Sequence, residues 1–523
     1  MAIHDSLLVT LRTAATERPD HQFLRVTGMP FTCREVLAHV ENTARGLREL
    51  GIEPGDRVGV MCDNRPETLW SWLGANAARA IDVPFNAEAR GRLLEYFVQD
   101  AAPKVLIGSE EYLQILADTI SEAPEVVVVI GEHDTRPFGD RARQVTFDEL
   151  LALGRGSAIE LPAPLPSDIA TIMYTSGTTG PSKGVMLPQR YYPGNAANIV
   201  RLMQVRSDDV VLCVQPLFHI DARAFLTTAW AAGATAVVGR RFSVSQFWNE
   251  VRDNGATIFA TIGTMLWMLH KQAPQPDDAD LPARLAICSS TPGEILRDFE
   301  KRFGVDVIEA YGMTECILLA SAPAGSTVPG RVGRPIPEVE VQLVDEYDVP
   351  VAVGDVGELV YRPREPFTMM QGYWAKPAET AEAWRNLWFH TGDLMREHPD
   401  GLEYIGRKKD SIRRRGENVS AWEVEQACTL HPQVLEVAAI GVPSEVGEED
   451  VAVLVVPTAG VTLDPADLVE FVAKDLPRFA VPRYVELVES LPKTPSERVE
   501  KGKVRERGIT AAAWDATVVL GRR

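Results

Sequence analysis

Apolar positions recur at helical spacing over residues 35–50, where Leu37, Val40, Ala44, Leu47 and Leu50 share one face and Gly51 follows where a C-terminal cap belongs. This predicts an amphipathic helix. After the turn Glu53-Pro54-Gly55 the pattern changes to an apolar run at 57–62, a helical stretch at 66–80 and a second run at 81–85. Strand, helix, strand is the rhythm of α/β units with parallel sheets. It returns with apolar runs at 210–214, 235–238, 257–262, 285–288 and 305–308, each followed by a longer segment of mixed character. Beyond Pro335 short strand-like runs at 339–344 and 357–361 are broken by Gly, Pro and Asp, which predicts an antiparallel, barrel-like β subdomain.

The charged segment Gly406-Arg407-Lys408-Lys409-Asp410 marks the expected domain boundary. Residues 1–409 form the expected large body of layered α/β subdomains with the barrel-like piece. Residues 410–523 form a small C-terminal α+β domain, with helical patterns at 421–430 and 464–476 and a strand-like run at 451–456. A chain of 523 residues exceeds what one core supports, so more than one compact unit follows from length alone.

Composition narrows the function. With 45% hydrophobic and 24% charged residues the chain is neither disordered nor collagen-like. Its 53 Lys plus Arg against 73 Asp plus Glu give a net charge of -20, which disfavours bulk nucleic-acid binding. No apolar run reaches the roughly 18 residues of a membrane span, and Asp5 and Arg12 interrupt the N-terminal apolar stretch where a signal peptide needs continuity. The six cysteines stand singly, without metal-ligand spacing, and read as small core residues of a cytoplasmic protein.

The chemistry concentrates in Tyr174-Thr-Ser-Gly-Thr-Thr-Gly-Pro-Ser-Lys-Gly184, which follows the strand-like run 169–173. Glycines let backbone N–H groups approach an anion, Ser and Thr hydroxyls add donors, and Lys183 adds positive charge, together a phosphate cradle. It is not a Walker A loop, because Ser182 stands where the second glycine belongs and Gly184 where Ser or Thr follows the lysine. Thr314 and Glu315 follow a strand-like run and a Tyr-Gly turn, which puts a hydroxyl and a carboxylate at a strand end, where α/β ligand sites lie.

This loop resembles the signature of the adenylate-forming superfamily, which includes acyl-CoA synthetases, firefly luciferases and nonribosomal-peptide adenylation domains. Its other signatures follow in family order: Phe218-His219, Tyr311-Gly-Met-Thr-Glu315, Thr391-Gly-Asp393, Gly406-Arg407, Asp410 and Gly416-Glu-Asn418. The resemblance spans essentially the whole chain and is strongest to medium-chain and carnitine-type acyl-CoA ligases. It implies that a carboxylate attacks the α-phosphorus of ATP to give an acyl-adenylate and pyrophosphate, and that CoA then displaces AMP. Transfer to an amine is the alternative acceptor chemistry, and a degenerate nucleotide-binding homologue the alternative class.

The resemblance also implies site roles. Thr175, Ser176, Gly177, Thr178, Thr179, Gly180 and Lys183 would hold the β- and γ-phosphates. Tyr311 would stack on adenine beside Ser290 and Thr291, which replace the Gly-Ala of many relatives and make that wall more polar. Thr314 would contact the α-phosphate and Glu315 would hold Mg2+. Asp393 would accept the ribose hydroxyls with Arg407 beside it. His219 and Gly312 would lie at the acyl pocket. Asp221 and Arg223 form either an internal ion pair or, through Arg223, a contact to a second polar group of the substrate.

In the C-terminal part, Asp410 would be the hinge between adenylating and thioester-forming poses, and Gly416 would line the passage for the pantetheine arm. The family's adenylation lysine is replaced by Arg498, so either Arg498 substitutes or Lys501, about one helical turn on, reaches in. Trp230, Met265 and Trp267 line an acyl tunnel or belong to the core.

Overall fold

The computed structural model describes residues 5–131, 136–175, 182–414, 417–444, 449–474, 476, 478–493 and 499–517. The described residues divide into two compact units: those of 5–175, 182–340 and 362–382 form the first, and those of 341–361 and 383–517 the second.

The first unit is built on two large sheets flanked by helices. One has eight strands in the spatial order Gly372–Tyr373, Gly184–Pro188, Ile169–Tyr174, Ile81–Pro84, Arg57–Met61, Val105–Ser109, Val126–Ile130 and Arg143–Thr146. From Ile169–Tyr174 onward the neighbours pair in parallel. Every side chain of the run Val-Val-Val-Val-Ile in Val126–Ile130 is buried, as expected of a strand covered on both faces. The other sheet has nine strands, whose parallel centre is Asp306–Met313, Leu285–Ser289, Ile258–Ile262, Val210–Cys213, Thr235–Val238 and Gln22–Val26.

The predicted helix at 35–50 is the helix Cys33–Glu49. It is opened by a capping box in which Thr32 accepts from the Glu35 N–H and Glu35 accepts from the Thr32 N–H, a motif worth about 1 kcal/mol. Its buried face carries Val36, Val40, Ala44 and Leu47. Trp230 and Met265 are buried at 1% and 5% exposure; Trp230 stacks on Phe23 and Met265 belongs to the core around Phe259. They pack the interior.

In the second unit the strands Val339–Val344, Val356–Pro363, Phe389–His398 and Gly401–Arg407 make a four-stranded sheet, with the antiparallel pairings that the broken pattern predicts. A second four-stranded sheet, Val434–Pro443, Glu449–Pro457, Tyr484–Leu487 and Trp514–Asp515, packs with the helices Ala421–Thr429 and Pro465–Val472. All six cysteines are buried thiols. Burial pushes Cys213, Cys316 and Cys428 up to about 12, so they stay protonated and inert.

Candidate active site

The strands Ile169–Tyr174 and Gly184–Pro188 run antiparallel, so residues 175–183 connect two strand ends. The Thr175 N–H donates to the Lys183 carbonyl at 3.1 Å. The expected phosphate contacts of Ser176, Gly177, Thr178, Thr179 and Gly180 lie outside the described residues. Lys183 holds its ammonium 4.8 Å from the ring centroid of Tyr373, a cation–π arrangement. The Tyr373 hydroxyl donates to Glu315 Oε1 at 2.9 Å. One tyrosine therefore touches both Lys183 and Glu315, residues far apart in sequence. Backbone pairing fixes that tyrosine, because Gly372–Tyr373 adds to the edge of the strand that begins at Gly184.

Glu315 sits in the turn between the antiparallel strands Asp306–Met313 and Cys316–Ser321. The turn is tight: a Cβ on Gly312 would fall 1.8 Å from the Ile317 carbonyl oxygen, so only glycine passes. The Met370 N–H donates to the Glu315 carbonyl at 2.9 Å, and the Tyr191 hydroxyl to the Thr314 carbonyl at 2.7 Å. Burial, then the neighbouring Cys316, Tyr192, Glu315 and Asp221, hold the Tyr191 phenol protonated and able to donate. Glu315 is 7% exposed, and Tyr311 and Thr314 are half-buried beside it.

Ser290 and Thr291 follow the strand Leu285–Ser289, and their backbone N–H groups donate to the two oxygens of Glu309 at 2.9 and 2.7 Å. Ser290 is held at φ +63°, in the left-handed region that favours glycine. Burial pushes the Glu309 carboxyl up to about 7 against the opposing pull of those N–H donors. Sequence reasoning missed Glu309. Its local signal is no more than a charged residue directly after the apolar run at 305–308.

His219 stands at the N-cap position of the helix Ile220–Ala232, without a capping bond from its side chain, and its ring lies 4.5 Å from that of Phe218. The segment before it is held by Asn64, whose amide donates to the Gln215 carbonyl at 3.0 Å and accepts from the Leu217 N–H at 2.9 Å. Arg223 donates to the Leu217 carbonyl at 2.7 Å, lies over the Trp72 ring and pairs with Asp82. The expected partner was Asp221. Residues two apart on a helix point to different faces, and Arg223, at 1% exposure, points into the core toward Asp82 on the strand Ile81–Pro84. This corrects the reading of Arg223 as a substrate contact.

Within the second unit, Asp393 and Arg407 face each other across the strands Phe389–His398 and Gly401–Arg407, with Arg407 Nε 2.7 Å from Asp393 Oδ1. The turn before Asp393 is pinned by the Gly392 N–H donating to Glu358 Oε1 at 3.1 Å, with Gly392 at φ +72°. Glu358 also takes Lys408 at 2.9 Å and Arg385 at 3.2 Å. Burial opposes ionisation of Glu358, but Lys408 and His390 outweigh it and hold the carboxyl below its ordinary range. Asp410 pairs with Arg505, and its other oxygen lies 3.8 Å from Lys501. Lys501 itself lies 2.8 Å from Glu425 Oε1, so it is engaged inside its own unit. Arg498 and Gly416 lie outside the described residues.

Among the described residues no group of three or more His, Cys, Asp or Glu side chains stands together to enclose a metal ion. The Glu315 carboxylate is oriented by the Tyr373 hydroxyl.

The chain is similar to known proteins over most of its length. A family model described as AMP-binding enzyme matches residues 11–374, and one described as AMP-binding enzyme C-terminal domain matches residues 423–498. A crotonobetaine/carnitine–CoA ligase of Salmonella enteritidis is 30% identical over 487 residues, covering 91% of this chain and 93% of its own. Among solved structures, ATP-bound MatB from Rhodopseudomonas palustris superposes with a TM-score of 0.85 at 26% identity, covering 96% of this chain and 98% of that one. The anthranilate CoA ligase AuaEII, solved with anthranoyl-AMP, shares the fold with a TM-score of 0.87 at 24% identity, over 97% and 98% of the two chains. Matching motifs, matching fold and matching family models converge: the chain belongs to the AMP-binding, adenylate-forming enzymes.

Proposed function

We propose that the chain is an AMP-forming acid–CoA ligase whose Lys183, Tyr373 and Glu315 act together on one ATP. A carboxylate oxygen of the acid attacks the α-phosphorus, the bond to the β-phosphate oxygen breaks, and pyrophosphate leaves. The CoA sulfur then attacks the acyl carbon and AMP leaves with the bonding electrons. Both steps build negative charge on phosphate oxygens, so the protein's part is positioning and neutralisation. Lys183 neutralises the leaving pyrophosphate. Thr314 donates to the α-phosphate, and Glu315, aimed by Tyr373, carries the magnesium of ATP. Tyr311 packs the adenine against the Ser290-Thr291 backbone, Asp393 accepts the ribose hydroxyls with Arg407 paired to it, and His219 stands at the acyl end. Asp410 is the hinge, and Arg498 or Lys501 supplies the adenylating cation. The observation that carries the reading is the single tyrosine in contact with both Lys183 and Glu315.

The test is pyrophosphate release across a panel of carboxylic acids, beginning with crotonobetaine and carnitine, with CoA and amino acids offered separately. The expected result is acid-dependent release with thioester formed from CoA. Product formed with an amine alone would replace the acceptor, and no acid-dependent release would overturn the ligase reading. Lys501→Ala and Arg498→Ala then assign the cation: loss of the responsible residue slows adenylation more than thioester formation.

A further inference from the structure

Lys183 needs a fixed backbone to present its ammonium, and the contacts that fix it converge on the helix Gly91–Ala101. The Tyr96 hydroxyl donates to the carbonyl of Ser182, the residue before Lys183, at 2.8 Å. One turn on, Asp100 gathers three groups. Its Oδ2 accepts from the Tyr174 hydroxyl at 2.7 Å, its Oδ1 takes Lys376 at 3.1 Å, and its carbonyl accepts from the Trp374 indole N–H at 3.0 Å. Tyr174 ends the strand that leads to residues 175–183, and the Trp374 backbone N–H donates to the Gly184 carbonyl at 2.7 Å. Positions four apart lie on one helix face. One face therefore grips both flanks of the connection and also the segment that holds Tyr373 against Lys183. The Asp100 side chain is 9% exposed, which keeps its charge-assisted bonds from being screened by solvent.

We propose that Tyr96 and Asp100 are positioning residues for the phosphate site: they hold Ser182, Tyr174 and residues 374–376 so that Lys183 meets the β- and γ-phosphates of ATP. The inference rests on the reading of Lys183 as a phosphate ligand. It predicts a selective defect, because AMP lacks the phosphates that Lys183 meets.

The test is equilibrium binding of MgATP and of AMP to the full-length chain and to Tyr96→Phe, Asp100→Asn and Lys183→Ala, with a thermal melt of each. Loss of one neutral hydrogen bond weakens MgATP about fivefold in Tyr96→Phe, and loss of the charged acceptor weakens it about tenfold or more in Asp100→Asn. AMP binding stays within about twofold of the parent, because it does not depend on this hydrogen bond. Tyr174→Phe removes the Asp100 bond from its other side and stands in should Asp100→Asn fail to fold. Equal weakening of both nucleotides, or a lowered melting temperature with MgATP affinity unchanged, makes these residues structural and overturns the inference. If Lys183→Ala weakens MgATP while the other variants do not, the inference alone fails. If Lys183→Ala binds MgATP like the parent, the Lys183 reading fails and takes the inference with it.

Discussion

A buried carboxylate with a raised pKa binds its proton more tightly in the folded chain than in the unfolded one. Glu309 moves from 4.5 to about 7, so its contribution to stability is fully present below pH 4.5 and lost as the pH rises through 7. The shift corresponds to about 3 kcal/mol. Urea unfolding across this window therefore shows a decline that Glu309→Gln flattens; an unchanged profile in the variant would place the titration elsewhere. The same substitution puts an amide N–H against one of the two donors at Ser290 and Thr291, so AMP affinity falls by about fivefold to tenfold for one lost acceptor. Tyr373→Phe removes only the hydroxyl on Glu315 and keeps the ring under Lys183. Its effect belongs in the magnesium dependence of pyrophosphate release, with a higher concentration needed for half-maximal rate.

Single residues were legible where the motif was local. Thr314, Glu315, Asp393 and Arg407 each stand in a short string that resembles a family signature, and that resemblance singles them out. Glu309, Tyr373, Asn64, Tyr96 and Asp100 carry no such string, because each acts through a contact made across the sheet or from another segment. Arg223 shows the limit in the other direction. Proximity in sequence suggested Asp221, while the helix geometry delivered Asp82.

At the scale of elements, that ion pair ties the helix Ile220–Ala232, which begins next to His219, to the strand Ile81–Pro84. Removing one partner leaves the other charged and buried, so Asp82→Ala costs about 3–5 kcal/mol in denaturant unfolding, whereas the double replacement Asp82→Leu with Arg223→Met is close to neutral. If the double variant is as unstable as the single one, packing and not the charge carries the stability. Parallel strands were the most legible elements: the apolar run at 210–214, for example, is the strand Val210–Cys213. The predicted helix at 464–476 is shorter: Pro465 opens it after the Asp464 cap, and it ends at Val472 with Ala473 at the C-cap. In the sheet that carries Asp393, Glu358 gathers Gly392, Lys408 and Arg385 around the turn. Its depressed pKa contributes stability that is present above pH 4.5 and lost as the pH falls through the folded value. A Glu358→Gln variant lacks that contribution at every pH, so in denaturant unfolding it is less stable than the parent near neutral pH and the gap narrows as the pH falls; a gap that stays constant with pH would contradict the assignment.

For the whole molecule, the sequence rhythm separated an α/β body from a C-terminal α+β portion. It drew one boundary in the chain, whereas the compact units interleave: residues 341–361 and 383–409 belong with the C-terminal part. A chain that leaves a unit and returns to it breaks no hydrophobic period, so no local signal marks the crossing. The central claim is that Lys183 and Glu315 serve one triphosphate, and a double-mutant cycle on acid-dependent pyrophosphate release tests it most directly. Lys183→Ala and Glu315→Gln each lower kcat/KM for ATP by about a hundredfold or more. If the two residues act on the same phosphates, the double variant loses far less than the product of the single losses. Losses that multiply in full would mean two independent sites and contradict the account.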